Sequence, residues 1–156
     1  MTADIVDIET FRERAHGQAL IGLDLGTKTI GIAIADPLWT VASPRETIRR
    51  TKFGQDAIRL VELIDETRSG GLILGLPLNM DGSEGPRAQS TRTFARNLLQ
   101  KINIPICFWD ERLSTVAVTR TLIDADASRK KRAQVVDMLA ASFIMQGALD
   151  RLRGMS

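Results

Sequence analysis

Three carboxylates stand where a purely structural sequence would avoid them. Asp24 lies inside an apolar run between Leu23 and Leu25, Glu111 follows the short apolar stretch PICFWD, and Asp137 interrupts a helical pattern, VVDMLAASF. A charge taken out of water is costly unless something pairs with it. Two such charges near 4 Å repel by about 4 kcal/mol at an effective dielectric of 20, so converging acids call for protonation or a cation. Hard divalent cations take oxygen ligands, and Mg2+ commonly keeps several waters beside one or two carboxylates. Two metals about 3.5–4 Å apart can clamp the attacking and leaving oxygens of a phosphodiester. Converging acids beside a basic surface therefore point to metal-dependent phosphodiester hydrolysis. Each acid also has an ordinary reading. Asp24 can be a hydrogen-bonded acid in a hairpin, Glu111 can be solvated or paired with Arg112, and Asp137 can be the polar edge of a helix stripe.

The elements that must position these acids follow from periodicity. Residues 20–25 read as a buried strand and 30–35 alternate large and small residues, with Gly26-Thr27-Lys28 as the connecting hairpin turn. A third, antiparallel edge strand is expected over 39–47, where Pro44 is tolerated. Phe53, Ala57, Leu60, Val61 and Ile64 recur at helical spacing, so 53–68 is expected to be a helix that Gly70-Gly71 ends. Residues 72–76 suggest a buried parallel strand, followed by the polar loop LNMDGSEGP. Pro86 opens the next helix, and 105–109 form a fifth strand with Cys107 as a small core residue. Ser114 or Thr115 is expected to cap a helix through about Ile123. A polar, mobile run over 124–132 then leads to the last helix, 135–152. Ala140 and Ala141 let that helix approach the sheet closely and bring Asp137 over the first strand.

The order is three antiparallel strands, then helix, strand, helix, strand, helix, helix. This is an α/β chain with a mixed five-stranded sheet and helices on both faces. Residues 1–18 are expected to be a tail or surface helix, docked loosely by Ile5, Ile8 and Phe11, and 19–153 a single domain. The 156 residues suffice for a real core, and 44% hydrophobic with 26% charged residues is ordinary for a globular chain. No run is long and apolar enough for a membrane helix and no signal-peptide pattern opens the chain. The single cysteine excludes an internal disulfide and fits a reducing compartment, so a cytoplasmic location is expected. The only histidine, His16, lies outside the core elements, which excludes histidine-based catalysis from the core and an imidazole metal site.

A net charge of +2 says little by itself, but its distribution says more. Residues 86–101 carry Arg87, Arg92, Arg96 and Lys101 without an acid, and Arg129, Lys130, Lys131 and Arg132 form a second block. Such stripes fit phosphate-backbone contact as well as a solvated helix face. Lys28 in the turn, Asn79 and Asp81 in the loop, and Arg112 and Ser114 beside Glu111 complete the candidate substrate contacts.

The stretches GLDLGTKTIGIAIAD, GLPLNMDGSEGPRAQSTRTFA, WDERLST and VVDMLAASFIMQGALD together resemble the four blocks of the YqgF family, described as pre-16S rRNA nucleases and as Holliday junction resolvases. The resemblance covers about residues 19–150. It implies an RNase H-like fold, a nuclease dependent on Mg2+ or Mn2+, with two ions, and a nucleic-acid substrate, an RNA precursor or branched DNA. It also implies a role in ribosomal RNA maturation, hence contact with pre-ribosomal particles. Its first-strand acid falls on Asp24, the acid of its DER block on Glu111 and its last-helix acid on Asp137. Thr29 departs from the arginine that many members carry there, which shifts phosphate contact onto Lys28. Monomer and homodimer both remain open, and a resolvase should dimerise to cut symmetrically.

Two other classes compete. Asp-Leu-Gly-Thr at the hairpin also resembles the phosphate-binding turn of the actin and sugar-kinase superfamily, although those proteins close ATP between two such domains. A non-catalytic RNA-binding assembly factor would keep the fold, but it gains nothing from three acids that repel phosphates.

Overall fold

The computed structural model of the chain describes residues 3–113 and 129–155, the stretch 129–137 as helix backbone alone. The strands are β1 (Ala19–Leu25), β2 (Thr29–Ala35), β3 (Ala42–Arg49), β4 (Ser69–Leu76) and β5 (Ile106–Asp110). They form one sheet in the order β3-β2-β1-β4-β5. β1, β2 and β3 pair antiparallel, whereas β4 is parallel to both β1 and β5. The helices are α1 (Ile8–Ala15), α2 (Phe53–Thr67), α3 (Pro86–Leu98) and α4 (Arg129–Arg153), with a 3₁₀ turn over Glu111–Leu113. The expected mixed sheet with helices on both faces is what the chain forms.

The central strands are buried along their whole length because both faces are covered. On one face Ile21, Leu23, Leu25, Ile30, Ile32, Leu72 and Leu74 pack against α2 and α3 through Leu60, Leu63, Phe94 and Leu98. Each fully buried Leu or Ile stabilises the fold by roughly 1.5–3 kcal/mol. The opposite face carries Leu20, Ala33, Ala35, Ile73, Cys107 and Trp109 beneath α1 and α4. This face is lined by small residues, and helices come close. A Cβ on Gly22 would lie 2.9 Å from Met145 Cβ, and one on Gly71 would lie 2.5 Å from Phe11 Cζ.

Several expectations are corrected. The amino-terminal segment docks firmly: Phe11 and Ala15 are fully buried, and residues 4–6 add a short parallel pairing to β5. Val6 N donates to Ile106 O at 2.9 Å and Ile106 N to Asp4 O at 2.8 Å, which covers an otherwise open sheet edge. Gly70 and Gly71 do not end α2. Arg68 takes the left-handed cap (φ 53) and donates its N–H to Ile64 O, while both glycines belong to β4, where Gln18 and Phe11 leave no room for side chains. The third strand begins at Ala42, since Trp39 turns at φ 57 and plugs the core, its Nε1 donating to Gln18 O at 2.8 Å. The run 124–132 is not all loop: α4 begins at Arg129, consistent with the good helix propensity of Arg and Lys. The helix expected over 114–123 lies outside the described residues.

Candidate active site

Asp24 points to the face that α4 covers, in line with Leu20 and Gly22, and is 2% exposed. Its antiparallel partner across β2 is Gly31. On the other side the parallel register runs through Leu23↔Leu74, so the next residues, Asp24 and Gly75, are level on adjacent strands. Neighbouring strands lie about 4.8 Å apart. A glycine on each side leaves open space around this carboxylate.

Glu111 enters that space. β5 ends at Asp110, and the 3₁₀ turn that follows returns Glu111 over the end of β4. Its Oε1 and Cγ lie 3.1 Å from where a Cβ on Gly75 would be, and Ile144 Cδ1 lies 2.6 Å from the same point. A side chain at position 75 would clash with Ile144 and crowd the Glu111 side chain. Two acids distant in sequence are thus neighbours on one face, at the carboxyl ends of β1 and β4, where open α/β sheets place their sites.

The backbone of α4 supplies the approach of the third acid. Arg12 Nε donates to Leu152 O at 3.2 Å, and Leu152 shares a cluster with Phe11 and Leu20 near the start of β1, while Met145 sits on Gly22. The helix therefore runs antiparallel to β1, and its amino-terminal half heads for the carboxyl end of that strand. Asp137 is one turn before Ala140 and Ala141, both buried against the sheet. Ala141 O lies 3.5 Å from the Cβ position of Gly22. Among the described residues no three acids or imidazoles gather into a metal-binding group, and the Asp137 side chain is outside that set. Carboxylates such as Asp24 and Glu111 are the oxygen ligands that suit a hard divalent cation.

The rim is built by a self-closed loop. Asn79 N donates to Ser83 O at 2.9 Å and Gly82 N to Asn79 O at 2.8 Å, with Gly82 at φ 88. Asn79 Nδ2 bonds Ser83 Oγ at 3.0 Å, and Asp81 Oδ1 accepts from Ser83 N and Oγ at 2.9 and 2.6 Å. Those bonds hold the Asp81 carboxyl below the usual carboxylate range. Arg112 turns to Asp110 and this loop, its Nη2 donating to Asp110 Oδ2 at 2.7 Å and its Nη1 to Met80 O at 3.0 Å. The guanidinium keeps the Asp110 carboxyl low in pKa as well. Arg112 thus acts as a clasp between β5 and the loop, and Met80, 89% exposed, is carried on it.

The other basic candidates are dispersed. Lys28 is exposed in the turn. Arg92 is engaged with Glu84 at 2.7 Å and lies 5.0 Å over the Phe108 ring, whereas Arg96 is exposed about a turn further along α3, its Nη2 on Thr93 Oγ1 at 3.1 Å. Arg129, Lys130, Lys131 and Arg132 form the first turn of α4, and Ser114 lies outside the described residues. Spacing did not single out Gly75, whose role shows in the sequence only as a glycine interrupting an aliphatic strand. Nor did it single out Arg50, and it marked Arg87 only as part of a basic stripe; both hold the end of β1, Arg87 Nη2 donating to Leu25 O at 3.2 Å and Arg50 Nη1 to Gly26 O at 2.6 Å.

Comparison with known proteins agrees with the fold. A family model described as "RuvX: Holliday junction resolvase" matches residues 18–151. The chain belongs to that family. Among curated relatives, a protein of Cereibacter sphaeroides is 63% identical over 134 residues, covering 86% of this chain and 84% of its own. One of Methylocella silvestris is 56% identical over 154 residues, covering 98% and 96%. Both bear the name "Putative pre-16S rRNA nuclease". The solved structure of T. thermophilus RuvC with a Holliday junction substrate superposes with a TM-score of 0.54 at 11% identity, over 89% of this chain and 98% of that one. At that identity the likeness concerns the fold, which is the RNase H-like one. Membership of the RuvX family makes this chain a hydrolase of phosphodiester bonds.

Proposed function

We propose that Asp24, Glu111 and Asp137 are the catalytic acids of an endonuclease that processes the 5′ end of pre-16S rRNA during ribosome biogenesis. The observation that carries the site is the placement of Glu111 over Gly75, level with the buried Asp24. The substrate assignment is supported by relatives that are 56–63% identical over most of their length and bear the pre-16S rRNA nuclease name.

Asp24 and Glu111 offer carboxylate oxygens to Mg2+ or Mn2+, and Asp137, arriving on α4, supplies the third. Bound as a pair, such ions would activate water and stabilise the leaving oxygen of the cut strand. The chain's own contribution is positional. Burial fixes Asp24 in a strand, and the glycine at 75 reserves the volume for Glu111. The Arg112 clasp sets the loop that borders the opening. The partners are the RNA precursor and the pre-ribosomal particle that carries it.

A second reading, resolution of four-way DNA junctions, is favoured by the description of the family model. A cleavage panel with Mn2+ or Mg2+ separates the two: a precursor carrying the 16S 5′ leader, a four-way DNA junction, and single strands of each. Cleavage of the leader at a defined position is the expected result. Cleavage of the junction alone assigns the protein to DNA. No cleavage of any substrate, with a folded and metal-responsive protein, leaves an assembly factor.

A further inference from the structure

A second opening, walled by Leu25, Pro86 and Phe94 as well as by polar groups, lies beside the end of β1, on the side of α3. It is a cleft of about 240 Å3 between the β1–β2 turn and α3, and its polar lining includes Thr27, Arg50, Arg87, Ser90 and Thr91. Arg50 gives one donor to Gly26 O and stacks 5.6 Å from the Phe94 ring centre; Arg87 gives one donor to Leu25 O. A guanidinium has five N–H donors, so most of the set stays available to the cleft. Neither arginine forms an ion pair with a carboxylate among the described residues. The first turn of α3 contains no acid, and the nearby Glu84 and Asp56 are taken up by Arg92 and Thr51. Lys28 adds a further positive charge on the same turn. Two guanidiniums that no carboxylate among the described residues pairs with, beside the hydroxyls of Thr27 and Ser90, are the chemistry of an anion site, and the arginine fork matches a phosphate.

We propose that this cleft binds a backbone phosphate of the substrate strand, flanking the phosphate that is cut. The proposal rests on the nuclease reading above. Leu25, whose carbonyl Arg87 holds, directly follows Asp24, so the cleft opens on one face at the carboxyl end of the strand whose other face carries the buried acid. A strand crossing the carboxyl end of β1 would meet the acids with one phosphate and the two arginines with the next.

The test is binding of a fluorescein-labelled single-stranded RNA in EDTA, followed by anisotropy across a salt series. Arg87→Gln should weaken binding about tenfold and lower the slope of log K against log salt by about 0.7, one phosphate contact on a single strand. Arg87→Lys should keep the slope, and Arg45→Gln, on the outer strand, should change neither. Arg50→Gln should act like Arg87→Gln, and thermal melts of every variant show whether loss of the Gly26 clasp has unfolded it. An unchanged slope in folded Arg87→Gln overturns the proposal. So does inorganic phosphate or a mononucleotide displacing the RNA at micromolar concentration, which would mark a site for free anions. Asp24→Asn keeps the two failures apart: it should lose cleavage and retain RNA binding with the full slope. An Asp24→Asn protein that still cuts refutes Asp24 as a catalytic acid, a native protein that cuts no substrate refutes the nuclease reading, and either result leaves the Arg87 comparison standing.

Discussion

The two faces of the sheet are made differently. Under α2 and α3, the central strands present Ile21, Leu23, Leu25, Ile30, Ile32, Leu72 and Leu74, a continuous aliphatic layer. Under α4, the same strands present Gly22, Asp24, Gly31, Ala33, Gly71 and Gly75 around Leu20 and Ile73. The first face carries stability. The second gives up side-chain volume, so that a helix backbone comes near and two carboxylates find room at its open end. What this contrast teaches is that the site is specified by absent side chains as much as by acids. A glycine on each side of Asp24 does the spacing.

The contrast can be broken most severely at the acid. Asp24→Asn should lower cleavage by on the order of 10³-fold or more while the protein stays folded. It should also abolish the rise in melting temperature that millimolar Mg2+ or Mn2+ produces in the native protein by mass action. A native protein whose melting temperature ignores both metals would count against the acid site. Next comes the pair Leu74→Ala and Gly75→Val, adjacent residues on opposite faces. Leu74→Ala should cost about 2–5 kcal/mol of stability by denaturant titration, with the activity of the folded fraction intact. Gly75→Val should cost less stability, about 1–3 kcal/mol from overpacking, and lose most of its activity, because the new side chain pushes on Ile144 and crowds the Glu111 carboxylate. Equal activity in the two folded proteins would erase the functional distinction between the faces.

A smaller effect is expected at Cys107, which burial pushes up to about 12 from an ordinary thiol value near 9. The folded state therefore holds its proton where the unfolded chain has released it. The stability from this group is complete below about pH 9 and is lost as pH rises toward 12, by at most about 1.4 kcal/mol per pH unit. Urea melts of Cys107→Ala should lack this component of the alkaline decline, and the native thiol should resist a disulfide reagent at pH 8 until the protein unfolds. The smallest effect concerns Trp109, whose Nε1 is buried with no hydrogen-bond partner among the described residues and lies 3.1 Å from the Cβ position of Gly147. Trp109→Phe removes the orphan donor along with some packing, and the two should offset to within about 1 kcal/mol. Gly147→Ala, which presses a methyl against the indole, should be the more destabilising of the two.

Much of the fold was legible in local pattern. An apolar run marked β1, alternation marked β2, a 3.6-residue period marked α2 and α3, and Pro86 marked a helix start that the structure retains. Boundaries failed where a distant residue intervened. Gly70 and Gly71 look like a helix stop, yet they are strand residues because Gln18 and Phe11 rest on them, and the left-handed turn fell to Arg68. Arg112 sits beside Glu111 in sequence but reaches Asp110 and Met80 O in space. Arg92, exposed by helical spacing, is drawn to Glu84 and Phe108.

By itself the sequence determined that Asp24 would be a carboxylate inside a strand, that a hairpin would precede parallel strands, and to which family the chain belongs. These depend on composition and spacing within a few residues. Only the tertiary structure decided that Glu111 lies over Gly75 beside Asp24, that residues 4–6 close the β5 edge, and that Arg50 and Arg87 share a cleft. Those pairings join residues up to 102 positions apart, Asp4 and Ile106 being the most distant. They are set by sheet register and by which side chains are small enough to let others in, and no local period carries that information.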